Sequence, residues 1–138
     1  MILNRSDFQN LTKIRLKETK TLLKNENFNG AYYLSGYVIE CALKSCIAKK
    51  TKKYDFPPDK NTINNIYQHR LGNLIKVADL QLQSEIEKND EFKNFWEVVE
   101  KWNSESRYEI HNEQEAKDLY NSIVNKKNGV LKWIRQYW

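Results

Sequence analysis

The chain has 138 residues, 40% of them hydrophobic, 12% aromatic and 30% charged, and 23 Lys+Arg against 18 Asp+Glu give a formal charge of +5. That is one domain's worth of chain with enough apolar material for a real core, and it is too aromatic for a disordered tail. It is too short for a large multidomain enzyme, no run of about 18 apolar residues could span a bilayer, and Met1–Asp7 lacks the apolar core of a secretion signal. Cys41 and Cys46 share one apolar run and read as buried thiols of a reducing, cytoplasmic compartment.

Chain punctuation points to helices. There are only four glycines and two prolines, the latter adjacent at Pro57 and Pro58, and Asn29-Gly30 abuts a long helical pattern instead of closing a hairpin. A first helix is expected over Ser6–Lys24, with Ser6 as cap and Asp7 in the first turn. Lys13, Lys17, Lys20 and Lys24 recur on it as a solvated basic stripe. A second helix is expected over Asn29–Lys50; it is apolar nearly all round and so belongs at the centre. Gly30, Ala31, Ser35, Gly36, Ala42 and Ser45 leave room on it for close approach, and Glu40 interrupts the apolar run, one turn from Lys44.

A polar loop at about 51–67 follows, long for a compact domain. A third helix begins near His69 with Leu71, Leu74, Ile75 and Ala78 on one face, and a fourth covers Asp90–Asn103. Ser104–Ile110 joins it to a fifth, on which Ala116, Leu119, Tyr120, Ile123 and Val124 form a stripe. Asn128-Gly129 reads as a C-cap pair, and Val130–Trp138 as a short terminal helix too bulky to dangle free. The expectation is a single all-α domain, an up-and-down bundle of four to five core helices plus a short C-terminal one.

Charge is uneven. Residues 1–53 carry eleven basic and four acidic residues, whereas residues 54–138 carry twelve and fourteen. A basic half beside Tyr32, Tyr33 and Tyr37 suits a phosphate backbone, or is simply a solvated face. The chemistry concentrates in Trp102 to His111. Arg107 offers a fixed positive fork for phosphate and His111 a proton carrier near neutral pH. Spaced four apart, they would share a helical face, and together they suit metal-independent RNA cleavage. The structural alternative pairs Arg107 with Glu40 or another carboxylate and lets His111 start a helix. His69 lies at a helix start. No pattern of His, Cys, Asp or Glu matches a metal site, no Gly-rich phosphate loop exists, and no metal or cofactor is expected.

Three segments carry a likeness. Ala31-Tyr32-Tyr33-Leu34-Ser35-Gly36-Tyr37-Val38-Ile39-Glu40-Cys41-Ala42-Leu43-Lys44 resembles the second helix of HEPN domains. His69-Arg70-Leu71-Gly72-Asn73-Leu74 is similar to the family's His-x-Leu-x-x-Leu stretch, and Trp102, Arg107 and Tyr108 to its segment before the last core helix. The resemblance covers about residues 6–126 and is nearest the small stand-alone, sacsin-like branch. It implies a helical bundle, usually a homodimer, at work in a toxin–antitoxin or phage-defence module. A minimal nucleotidyltransferase and RNA are the implied partners. Catalytic members carry Arg, a polar residue, then His after four to six intervening residues. Here Tyr108 follows Arg107, and only three residues precede His111.

Three functions therefore stand. The chain is a nucleotide- or RNA-binding partner subunit, in which Glu40 and Lys44 orient Arg107 or a nucleotide and Tyr108, Trp102 and His69 support the site. It is a metal-independent endoribonuclease, with Arg107 and His111 catalytic across a dimer. Or it is a purely structural helical module.

Overall fold

The computed structural model describes residues 3–51 and 70–138. The expected loop at about 51–67 and His69 thus lie outside the described residues, apart from Thr51. Among the described residues, seven α-helices and a 3-10 turn follow one another: α1 (Arg5–Lys24), α2 (Phe28–Lys50), α3 (Leu71–Val77), α4 (Leu82–Lys88), α5 (Asp90–Glu100), the turn Ser104–Tyr108, α6 (Glu113–Val124) and α7 (Val130–Arg135). Among the described residues there is no strand, and the architecture is an up-and-down helical bundle.

Helix α2 is the axle. It touches α1 along its length and also meets α3, α6, α7 and the 3-10 turn. Surrounded on so many sides, it buries Ala31, Val38, Ile39, Ala42, Leu43, Cys46 and Ile47. That explains the apolar run without amphipathic spacing. The outer helices are two-faced by contrast. On α5, Phe92, Trp96 and Val99 point inward; on α6, Ala116, Leu119 and Ile123 do. The lysine stripe of α1 is exposed throughout, as expected of a solvated face.

Several ends differ from the sequence expectation. Helix α1 is capped by Asn4, not Ser6. The Asn4 side chain accepts from the Asp7 amide while the Asp7 carboxylate accepts from the Asn4 amide, a reciprocal box that needs a side-chain acceptor at the third helical residue. The α1–α2 turn has no glycine: Glu26 takes φ 61, so that its amide reaches the Leu23 carbonyl and the Asn27 amide the Leu22 carbonyl. Asp79 does the same after α3 at φ 57, next to the Lys50 ammonium, which donates to the Ala78 carbonyl. Helix α4 was not foreseen; its apolar signal is only Leu82 and Ile86, both half-buried. Helix α5 stops at Glu100 rather than Asn103.

Gly129 is not a left-handed C-cap. It precedes α7 at φ −64, and a methyl there would sit 2.5 Å from the Asn125 carbonyl and 2.7 Å from that of Ile123. Close backbone approach, not a positive φ, requires glycine. As expected, the terminal segment does not dangle. Trp133 packs on Phe92, and Arg5 and Gln9 of α1 donate to the Trp138 carbonyl at 2.7 and 3.2 Å.

Candidate functional site

The segment bearing Arg107 and His111 is positioned by one tryptophan. Trp102 is 1% exposed, and its indole lies on the α2 backbone at Gly36, where an added Cβ would come within 1.9 Å of the ring. Its Nε1 donates to the Tyr33 carbonyl at 3.1 Å, and its ring meets Tyr37 edge-on at 5.0 Å. Only a residue without a side chain allows that contact, so Gly36 and Trp102 form one device. Asn103 then caps the 3-10 turn by accepting from the Glu105 amide.

Arg107 emerges on the last turn of this element and is exposed. Its guanidinium sits over the Tyr108 ring, 4.8 Å from the centroid. The nearby Tyr108 and Tyr33 hydroxyls, in that order, push its already high pKa higher. Arg107 therefore rests on tyrosines rather than on Glu40. Behind it, the Tyr33 and Tyr37 hydroxyls share a hydrogen bond of 3.1 Å. Burial first, then the Tyr33 hydroxyl, raises the pKa of Tyr37, so its hydroxyl keeps its proton. Tyr108 is 74% exposed and Ile110 90%.

The helical face expected to unite Arg107 and His111 does not form. The 3-10 turn ends at Tyr108, and Glu109 is extended at φ −108, ψ 156. The chain direction changes between the two residues, and they meet different neighbours. His111 turns inward and stacks on Tyr32, ring centroids 3.6 Å apart and planes 13° from parallel. Its backbone amide donates to Asn29 Oδ1 at 2.6 Å, and its Nδ1 lies 2.8 Å from Glu115 Oε2. Glu115 also belongs to the box that starts α6 from Asn112. The bond from His111, then the Asn112 amide, holds its carboxyl below the ordinary value. An ionised Glu115 places the His111 proton on Nδ1. His111 Nε2 is buried and has no hydrogen-bond partner among the described residues; the Glu109 carboxylate stands 4.0 Å away. The imidazole is 8% exposed.

Glu40 and Lys44 pair with each other at 3.4 Å, with side chains 5% and 10% exposed. Trp102 lies in the core, as described above. On the far side of the turn a cleft of about 730 Å³ is lined by Arg70, Asn73, Glu100, Asn103, Ser104 and Glu105, among others. Among the described residues no three or more His, Cys, Asp or Glu side chains are grouped to hold a metal ion, and no helix is long and apolar enough to cross a membrane. Sequence reasoning missed the roles of Tyr32, Asn29 and Glu115. The box Asn112-x-x-Glu115 was the available signal for the last of these.

Fold and site are those of a small helical bundle presenting a cation–aromatic pair from a short 3-10 turn. The chain belongs to the HEPN family, whose HEPN domain profile matches residues 12–137. No curated protein and no solved structure matches it.

Proposed function

We propose that this HEPN protein is a nucleotide- or RNA-binding partner subunit, of the small sacsin-like kind, in a toxin–antitoxin or phage-defence module. One observation carries the reading. Arg107 and Tyr108 stand exposed as a guanidinium over an aromatic ring, which suits a phosphate and an unstacked base. The basic first 53 residues add long-range attraction for a polyanion. Glu105 and Glu109 flank Arg107 and are exposed, and the wider basic field offsets their repulsion of a phosphate. The proposed protein partners are a second copy of the chain and a minimal nucleotidyltransferase. Fluorescence anisotropy with a single-stranded oligoribonucleotide tests the reading. Binding should weaken as salt rises and weaken further in Arg107→Ala and Tyr108→Ala; salt-independent binding, or no binding, refutes it.

The metal-independent endoribonuclease is the second reading, because Arg107 and His111 lie on one short link between α5 and α6. It requires RNA cleavage in EDTA that is lost in Arg107→Ala and in His111→Ala. Intact RNA after incubation with wild-type protein removes it.

A further inference from the structure

We propose that His111 is a positioning residue: a peg that docks the Arg107–Tyr108 turn onto α2, and not a proton carrier. The imidazole is 8% exposed, and its second nitrogen is buried, so neither ring nitrogen is presented to a ligand. One face of the ring is taken by Tyr32 at 3.6 Å, Nδ1 by Glu115 and the backbone amide by Asn29. These contacts come from three places: the start of α2, its next turn, and α6. They close over the point where the chain leaves the 3-10 turn. Little else holds that link, since Glu109 and Ile110 are exposed and non-helical. Trp102 secures the turn from before and His111 from after, so Arg107 and Tyr108 are held between two buried aromatic contacts. Stacking, not basicity, is the property of histidine in use here.

The consequence for RNA rests on the binding function proposed above; the docking itself does not, and the experiment separates the two. Limited trypsin digestion, followed by mass spectrometry for scission after Arg107, reports opening of the link whether or not RNA binds. His111→Ala should raise the initial rate of that cut by ~10-fold, while His111→Phe, which keeps the stack, should stay within ~2-fold of wild type. Tyr32→Ala removes the stack from the other side. It should match His111→Ala, and the double variant should open little faster than either single one. Far-ultraviolet circular dichroism at the digestion temperature confirms that each variant is folded. If oligoribonucleotide binds wild type, its affinity should follow the same order: ~3- to 10-fold weaker in both alanine variants and recovered in His111→Phe. Scission in His111→Phe as fast as in His111→Ala, or in His111→Ala as slow as in wild type, overturns the peg. RNA cleavage that disappears in His111→Phe while scission stays slow also overturns it, in favour of a proton carrier. Absence of RNA binding with the scission order intact refutes the binding function and leaves the peg standing.

Discussion

Replacing Gly36 with alanine tests the link between the core and the Arg107 turn. The new methyl would lie 1.9 Å from two ring carbons of Trp102 and 2.4 Å from its Nε1, so the indole has to move. Trp102 is 1% exposed and cannot swing into solvent without leaving a void. Overpacking of this kind costs about 1–3 kcal/mol. Loss of the Nε1 bond to the Tyr33 carbonyl leaves the indole N–H of a buried tryptophan unpaired, for about 1–3 kcal/mol more. Against this, alanine is favoured over glycine inside a helix by about 1 kcal/mol. The net loss is about 1–5 kcal/mol, which at mid-range lowers the melting temperature of a chain of this size by roughly 10 °C. Thermal unfolding followed by circular dichroism and tryptophan fluorescence measures it. Gly72→Ala is the matched control: a Cβ there meets nothing within 4 Å. It should be neutral or stabilising by up to about 1 kcal/mol, the helix-propensity difference alone. A Gly36→Ala protein as stable as wild type would show that Trp102 does not depend on that gap.

Other perturbations have definite signs. Glu26 holds φ 61, so Glu26→Gly should stabilise the protein by about 0.5–1 kcal/mol in urea unfolding, whereas the same change in mid-helix destabilises. Burial pushes the Cys41 and Cys46 thiols up to about 11 each. Both should therefore resist iodoacetamide at pH 7.5 in the native state and react once the chain is unfolded in guanidinium; rapid native labelling would contradict the packing. Removing Lys44 takes its ammonium away from a carboxylate that is 5% exposed, so Lys44→Met should destabilise the protein by about 1–3 kcal/mol and Glu40→Gln/Lys44→Met by less than the single change. The carboxyl of Glu115 is held below its ordinary 4.5, so the stability it contributes is present above that value and is lost as pH falls through the lowered one. Glu115→Gln should flatten the acid limb of a urea-midpoint profile, and an unchanged limb would place the effect elsewhere.

Much of the bundle was legible in local residue order. A run that is apolar all round must lie in the middle, and stripes at helical spacing must face it, so α2 and the inner faces of α5 and α6 could be assigned from composition and period alone. Helix ends were harder. The Asn4 cap competed with Ser6 two residues on, and the turns at Glu26 and Asp79 are bent by residues that carry no glycine signal. Such turns are imposed by the packing of the helices they join, at a local cost that sequence statistics assign to glycine.

The candidate site divides along the same line. That Arg107 and His111 belong to one segment next to Trp102 is a property of chain order. Which way each points was decided in three dimensions, because a helical period continued through Glu109 would have put them side by side. The 3-10 turn ends at Tyr108 instead, and the contacts that redirect the chain come from Tyr32 and Asn29 some eighty residues earlier. Length, charge and apolar pattern thus determined a helical bundle whose sequence is basic in its first half. Exposure of the arginine and enclosure of the histidine were settled by long-range packing, which no local spacing encodes.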